Sequence, residues 1–116
     1  MTETELIERY SIFGKCDGGE FFLMRGKALE FTLDCVSNGL AVLGLECFRF
    51  QGGEVQSDTG LIADFSSLVS LEWEEMLEQS REHAERFLGE LSDPDLFIVF
   101  TLFNEEEWKN QRNFKR

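Results

Sequence analysis

The apolar positions of this chain fall into blocks whose period changes from one segment to the next. Residues 2–11 place Leu6, Ile7 and Tyr10 on one side of a short helix. Gly14 to Gly19 is rich in turn formers, and Glu20–Met24 (E-F-F-L-M) is a short apolar run that reads as a strand. Arg25–Asn38 predicts a helix, because Leu29, Thr32, Leu33 and Val36 recur at i, i+3, i+4 and i+7. Leu40–Phe50 is the strongest strand. It is apolar on both faces at its start, as a central strand is, and then alternates. Glu46, Phe48 and Phe50 fall on one face, and Cys47 and Arg49 on the other. Gly52-Gly53 signals a hairpin, with Glu54–Ser57 as the return strand.

Asp58–Ser70 shows no clear period. Leu71–Leu91 is the strongest helix, with Trp73, Met76, Leu77, Ser80, Ala84, Phe87, Leu88 and Leu91 at helical spacing and Ser70 as its N-cap. Ser92-Asp93-Pro94-Asp95 ends it, and Leu96–Phe103 (L-F-I-V-F-T-L-F) reads as a buried strand. Asn104, three glutamates and Trp108 predict the cap and first turn of a final helix. The expectation is a single α+β domain over residues 1–116, with 104–116 a short C-terminal helix or tail. Its sheet is expected to be small and mixed, with helices packed mainly on one face. Leu40–Phe50 and Leu96–Phe103 should be interior strands. The helix between Met24 and Leu40 should form a crossover if its flanking strands are parallel.

Charge changes the picture more than composition does. The net charge is −12, and residues 1–108 alone hold 23 acidic against 7 basic residues. The tail offsets part of this with Lys109, Arg112, Lys115 and Arg116. Such a surface repels nucleic acid and anionic membranes and attracts basic partners, although a soluble bacterial cytosolic protein can carry it for solubility alone. The three cysteines, Cys16, Cys35 and Cys47, form no C-x-x-C pair and imply no disulfide framework. With no signal peptide and no apolar run near 18 residues, a reducing cytosol is the expected compartment.

Candidate chemistry is sparse. The one histidine, His83, flanks an apolar helix stripe, and no P-loop, G-x-G-x-x-G or G-x-S-x-G is present. Cys16, Cys35, Cys47 and His83 lack the close pairing of metal motifs, so no metal and no cofactor is expected. Glu46 stands out, as a carboxylate within an apolar strand. It is either at the wet end of a sheet, or held by a donor such as Arg49, or used in recognition. Residues 40–80 hold Glu46, Glu54, Asp58, Asp64, Glu72, Glu74, Glu75 and Glu78 against a single Arg49, with Phe65 and Trp73 among them. Glu46, Glu54, Asp58, Asp64, Phe65 and Trp73 are therefore the candidate partner-binding residues. Carboxylates around aromatic anchors suit a cationic protein partner. Trp73 also lies on the helix stripe, where it would be core.

The run A-L-E-F-T-L-D-C-V-S-N-G-L-A-V-L-G-L-E-C-F (Ala28–Phe48) resembles the immunity protein 40 family of bacterial polymorphic toxin systems. That family has a helix with "A-L" near its start, then a strand ending in a G-G-D-V-aromatic motif. A second helix carries serine and alanine four apart and then an aromatic, matched by Ser80, Ala84 and Phe87, before a final apolar strand. The resemblance spans roughly residues 20–103. The motif reads Gly44-Leu45-Glu46 here, so Glu46 takes the place of the family aspartate, and the family tryptophan corresponds to Phe65 or Trp73. The resemblance implies a non-catalytic protein that neutralises a cognate toxin by binding it, often a basic nuclease. Two alternatives belong to other classes. One is an acidic nucleic-acid mimic, which needs acids spread along an extended face. The other is a small ligand-binding domain or enzyme, which needs a concave pocket with convergent polar groups.

Overall fold

The computed structural model describes residues 1–114, with side chains described for all of these except 58–60 and 112–114. Its helices are α1 (Glu3–Tyr10), α2 (Ala28–Ser37), α3 (Trp73–Glu90) and α4 (Glu105–Phe114). Its strands are β1 (Gly14–Asp17), β2 (Glu20–Met24), β3 (Leu40–Gln51), β4 (Glu54–Asp64) and β5 (Phe97–Asn104). The α+β class holds. The strand order is β1-β2-β5-β3-β4, with β3 and β5 both interior.

Every neighbouring pair of strands is antiparallel, so the sheet is not mixed. The reason lies in β5. β2 and β3 run parallel to each other, joined through α2, but β5 enters between them antiparallel to both. The crossover expected from the sequence is therefore split by a strand from the far end of the chain.

Two Gly-Gly pairs turn the two hairpins. Gly18 and Gly19 (φ 58° and 82°) join β1 to β2, and Gly52 and Gly53 (φ 59° and 82°) join β3 to β4. Two consecutive positive φ angles give the tight turn whose twist matches the strands, and glycine adopts them without a Cβ clash. β4 is longer than expected, because the strand runs on to Asp64, with Ile62–Asp64 paired to β3, and only Ser66–Ser70 is a 3-10 turn. Ser70 does not cap α3. Its hydroxyl donates to the Ser67 carbonyl, and the N-cap is Glu72. Asn104 does cap α4, in a reciprocal box in which Glu107 N–H donates to Asn104 Oδ1 at 2.8 Å.

The main core lies between one sheet face and α1, α2 and the C-terminal half of α3. Leu6, Leu23, Phe31, Leu45, Cys47, Ala84 and Ile98 meet there. On α2 the buried residues are Ala28, Phe31, Thr32 and Cys35. The stripe read from the sequence is thus rotated, since Leu29 and Leu33 are exposed. A smaller core joins Ala41, Val69, Trp73, Met76 and Trp108, where Trp108 Nε1 donates to the carbonyls of Val69 and Leu71.

Ser80 is fully buried and links α3 to the sheet. β4 ends opposite Gly44, and beyond that point the Val42 N–H donates to Ser80 Oγ at 3.1 Å. The same hydroxyl donates to the Leu77 carbonyl. Arg25 closes the other end of α3, its guanidinium donating to the carbonyls of Leu88 and Leu91, where cations are favoured by the helix dipole.

Candidate functional site

Residues paired across neighbouring strands point to the same side of a sheet. The row Leu23–Ile98–Cys47 and the pair Phe100–Leu45 face the helices. The alternate rows, Val99–Glu46–Ile62 and Thr101–Gly44–Asp64, face the other way. With Glu20 of β2 they line a depression of about 280 Å³ on the open face. Three carboxylates, Glu20, Glu46 and Asp64, surround the aliphatic floor of Ile62 and Val99, and no Lys, Arg or His is among the described lining residues.

β3 builds this site through two irregularities. A register shift between Val42 and Gly44 offsets β3 from β5. A second shift, between Glu46 and Phe48, sets residues 58–61 of β4 against Cys47 alone. Gly44 lets the strands close in, since a Cβ there would lie 2.9 Å from the Ala63 carbonyl oxygen. Glu46 is half-buried between Val99 and Ile62, while Ile62 is 51% exposed. Asp64 accepts from the Ser66 N–H at 2.9 Å, and the Ser66 hydroxyl and amide hold its carboxyl below the usual aspartate range.

The other half of the open face is aromatic. Phe22 packs edge-on to Phe48 and Phe50 at 5.0 and 5.3 Å, and Phe50 packs on Phe97 at 4.9 Å. Lys15 Nζ sits 4.5 Å from the Phe50 ring centre and 5.4 Å from that of Phe97. These rings bury one another, and Phe22 is only 3% exposed.

Of the six residues expected to bind a partner, the fold brings Glu46 and Asp64 together. Glu54 pairs with Gln51 at the hairpin tip, five residues along β3 from Glu46. The side chain of Asp58 lies outside the described residues. Phe65 packs against the main core and lies tilted against His83 at 5.4 Å, with its N–H donating to the Leu43 carbonyl. Trp73 is a core residue, 7% exposed and 5.9 Å from Trp108. Its apolar stripe outweighs its acidic sequence neighbours, so it is no accessible anchor. Arg49 falls on the face opposite Glu46 and pairs with Asp93, Nη2 to Oδ2 at 2.9 Å.

Glu20, Ile62, Val99 and Thr101 were not expected from the sequence. L-F-I-V-F-T-L-F is apolar throughout, and such a run does not say which face stays open. Cys35 and Cys47 are buried and Cys16 is exposed, all as free thiols. Burial pushes the Cys35 thiol up to about 12, helped by the charges of Glu3 and Asp34. Among the described residues, no group of three or more His, Cys, Asp or Glu is placed to hold a metal ion, and no helix is long and apolar enough to cross a membrane. No protein-family model, curated protein or solved structure matches the chain.

Proposed function

We propose that this chain is an immunity protein: a non-catalytic inhibitor that binds a basic bacterial toxin domain in the cytosol. Its docking surface is the open face of the sheet. One observation supports this above the rest. Glu20, Glu46 and Asp64 converge on an aliphatic floor without a compensating cation among the described lining residues. Like charges gathered in one depression focus the field and speed encounter with a basic partner. Glu46, half-buried on an interior strand, is the carboxylate that a partner arginine would desolvate. Truncating one member of such a buried pair costs about 2–5 kcal/mol of binding.

The test is to co-produce the chain in bacteria with the toxic product of its adjoining reading frame. The expected result is restored growth and a complex that survives purification. Glu46→Lys should abolish both, whereas Glu90→Lys, on an exposed residue of α3, should preserve them. A complex indifferent to Glu46→Lys would place the interface elsewhere. Absence of any complex would reject the inhibitor reading itself.

A further inference from the structure

β5 is the middle strand of the sheet, yet one of its flanks is paired over only a short stretch, with Glu20 and Phe21 of β2 lining a groove beside the rest. β2 meets β5 at two positions only, Leu23 opposite Ile98 and Met24 opposite Phe97. On the other flank β3 matches β5 from Phe97 to Asn104. Among the described residues, no strand pairs with Val99–Phe103 on the β2 side. Alternate peptide groups of a strand point to opposite flanks, so this stretch offers N–H and C=O groups to whatever lies beside it. Natural edges are guarded by lysine or proline, and V-F-T-L-F contains neither.

A groove of about 410 Å³ runs beside this flank. Ile7, Phe21 and Phe31 give it apolar walls, and Glu3, Glu20 and Glu107 line it as well. Burial and the neighbouring charge of Glu107 push the Glu3 carboxyl above its ordinary value. The groove shares Glu20, Val99 and Thr101 with the open-face depression, so the two are continuous.

We propose that the unpaired flank of β5 takes up an extended, basic segment of the protein partner as an added strand, hydrogen-bonded along Val99–Phe103. This rests on the reading of the open face as the docking surface for a basic protein. Main-chain bonds to β5 would supply affinity and alternate side chains would supply specificity. Five residues of edge span about 17 Å, room for about five partner residues. One face of the added strand meets Phe21 and Phe31 and should be apolar. The other passes Glu20 and should be cationic. The occupant is therefore a segment that alternates basic and apolar residues.

The test uses a labelled ten-residue peptide of alternating lysine and valine, read by fluorescence anisotropy. Two further versions are N-methylated on alternate residues, one in each register, which removes backbone donors and leaves the side chains in place. The expected result is binding of the parent peptide, slowed amide exchange across Val99–Phe103, and at least about tenfold weaker binding of one N-methylated register than of the other. Glu20→Lys should weaken the parent peptide severalfold. Equal binding of all three peptides, or none by the parent, overturns strand addition. If the intact partner still depends on Glu46 while the peptides show no register effect, the open-face reading stands and only the added strand is lost. If the intact partner ignores Glu46→Lys, the open-face reading falls whatever the peptides do.

Discussion

Under the helices, Leu23, Leu45, Cys47 and Ile98 are at most 2% exposed. At alternate positions of the same strands, Glu46, Val99 and Thr101 face the other way, beside an Ile62 that is half-exposed. The covered face is sealed by α1, α2 and α3, so its side chains bear on stability. The open face is sealed in its aromatic half, where Phe22, Phe48, Phe50 and Phe97 cover one another, and at its far end, where Ala41 and Phe103 pack with Val69, Trp73, Met76 and Trp108. Its acidic half has few apolar contacts to lose. Residues there can change for binding at small cost to folding, because their neighbours are mostly solvent.

Truncation on the covered face should give the largest effect. Phe31→Ala removes a ring that is 1% exposed and packs on Tyr10 and Phe100 at 5.1 and 4.9 Å. It should cost about 3–5 kcal/mol in denaturant unfolding, and a loss under about 1 kcal/mol would mean that this face is not the core.

Ser80→Ala should come next. It leaves the buried Val42 N–H without its acceptor where β4 no longer covers β3, at a cost of about 1–3 kcal/mol. A neutral result would show that water reaches that edge.

The covered face should also respond to pH through Cys35. A thiol pushed up from its ordinary 9.0 to about 12 keeps its proton in the folded chain after the unfolded chain has lost it. Its contribution is complete below the ordinary value and is lost as pH rises through about 12. At pH about 10.5 the chain should be less stable than at pH about 8 by on the order of 1–2 kcal/mol. Cys35→Ala should flatten that decline in unfolding curves taken across the range. An unchanged slope would assign the alkaline loss to another group, such as Tyr10, whose hydroxyl donates to Asp34 and is also pushed up.

The smallest stability effects should come from the open face. Ile62→Ala and Glu46→Gln should each shift stability by less than about 0.5 kcal/mol, while Glu46→Gln should slow association with a basic partner at low salt. Loss of more than about 2 kcal/mol by Glu46→Gln would make that carboxylate part of the fold rather than of a docking surface.

Much of this was legible from the sequence alone. The helices, strands β2, β3 and β5 and the β3–β4 hairpin turn follow from periods set within a few residues, whereas β1 lies in Gly14–Gly19, which reads as a turn-rich stretch and becomes a strand only by pairing with β2. The far half of β3 is local too, since its alternation placed Glu46, Phe48 and Phe50 opposite Cys47 and Arg49. The cap at Asn104 is equally local, since Glu107 lies three residues away. What the sequence left open depends on residues distant in the chain. Nothing near β2 or β3 announces that β5 will separate them and make the sheet antiparallel. α2 offers apolar residues over a wide arc, and only its packing against α1 and the sheet buries Phe31 and Cys35 while leaving Leu29 and Leu33 in water. Residues 58–64 have no period of their own, and pairing of Ile62–Asp64 with β3 carries β4 to its end. Glu20, Glu46 and Asp64 become one site only through strand order and register. Secondary structure is fixed mainly by each residue's near neighbours, whereas burial and proximity are fixed by which surfaces the whole chain can bring together.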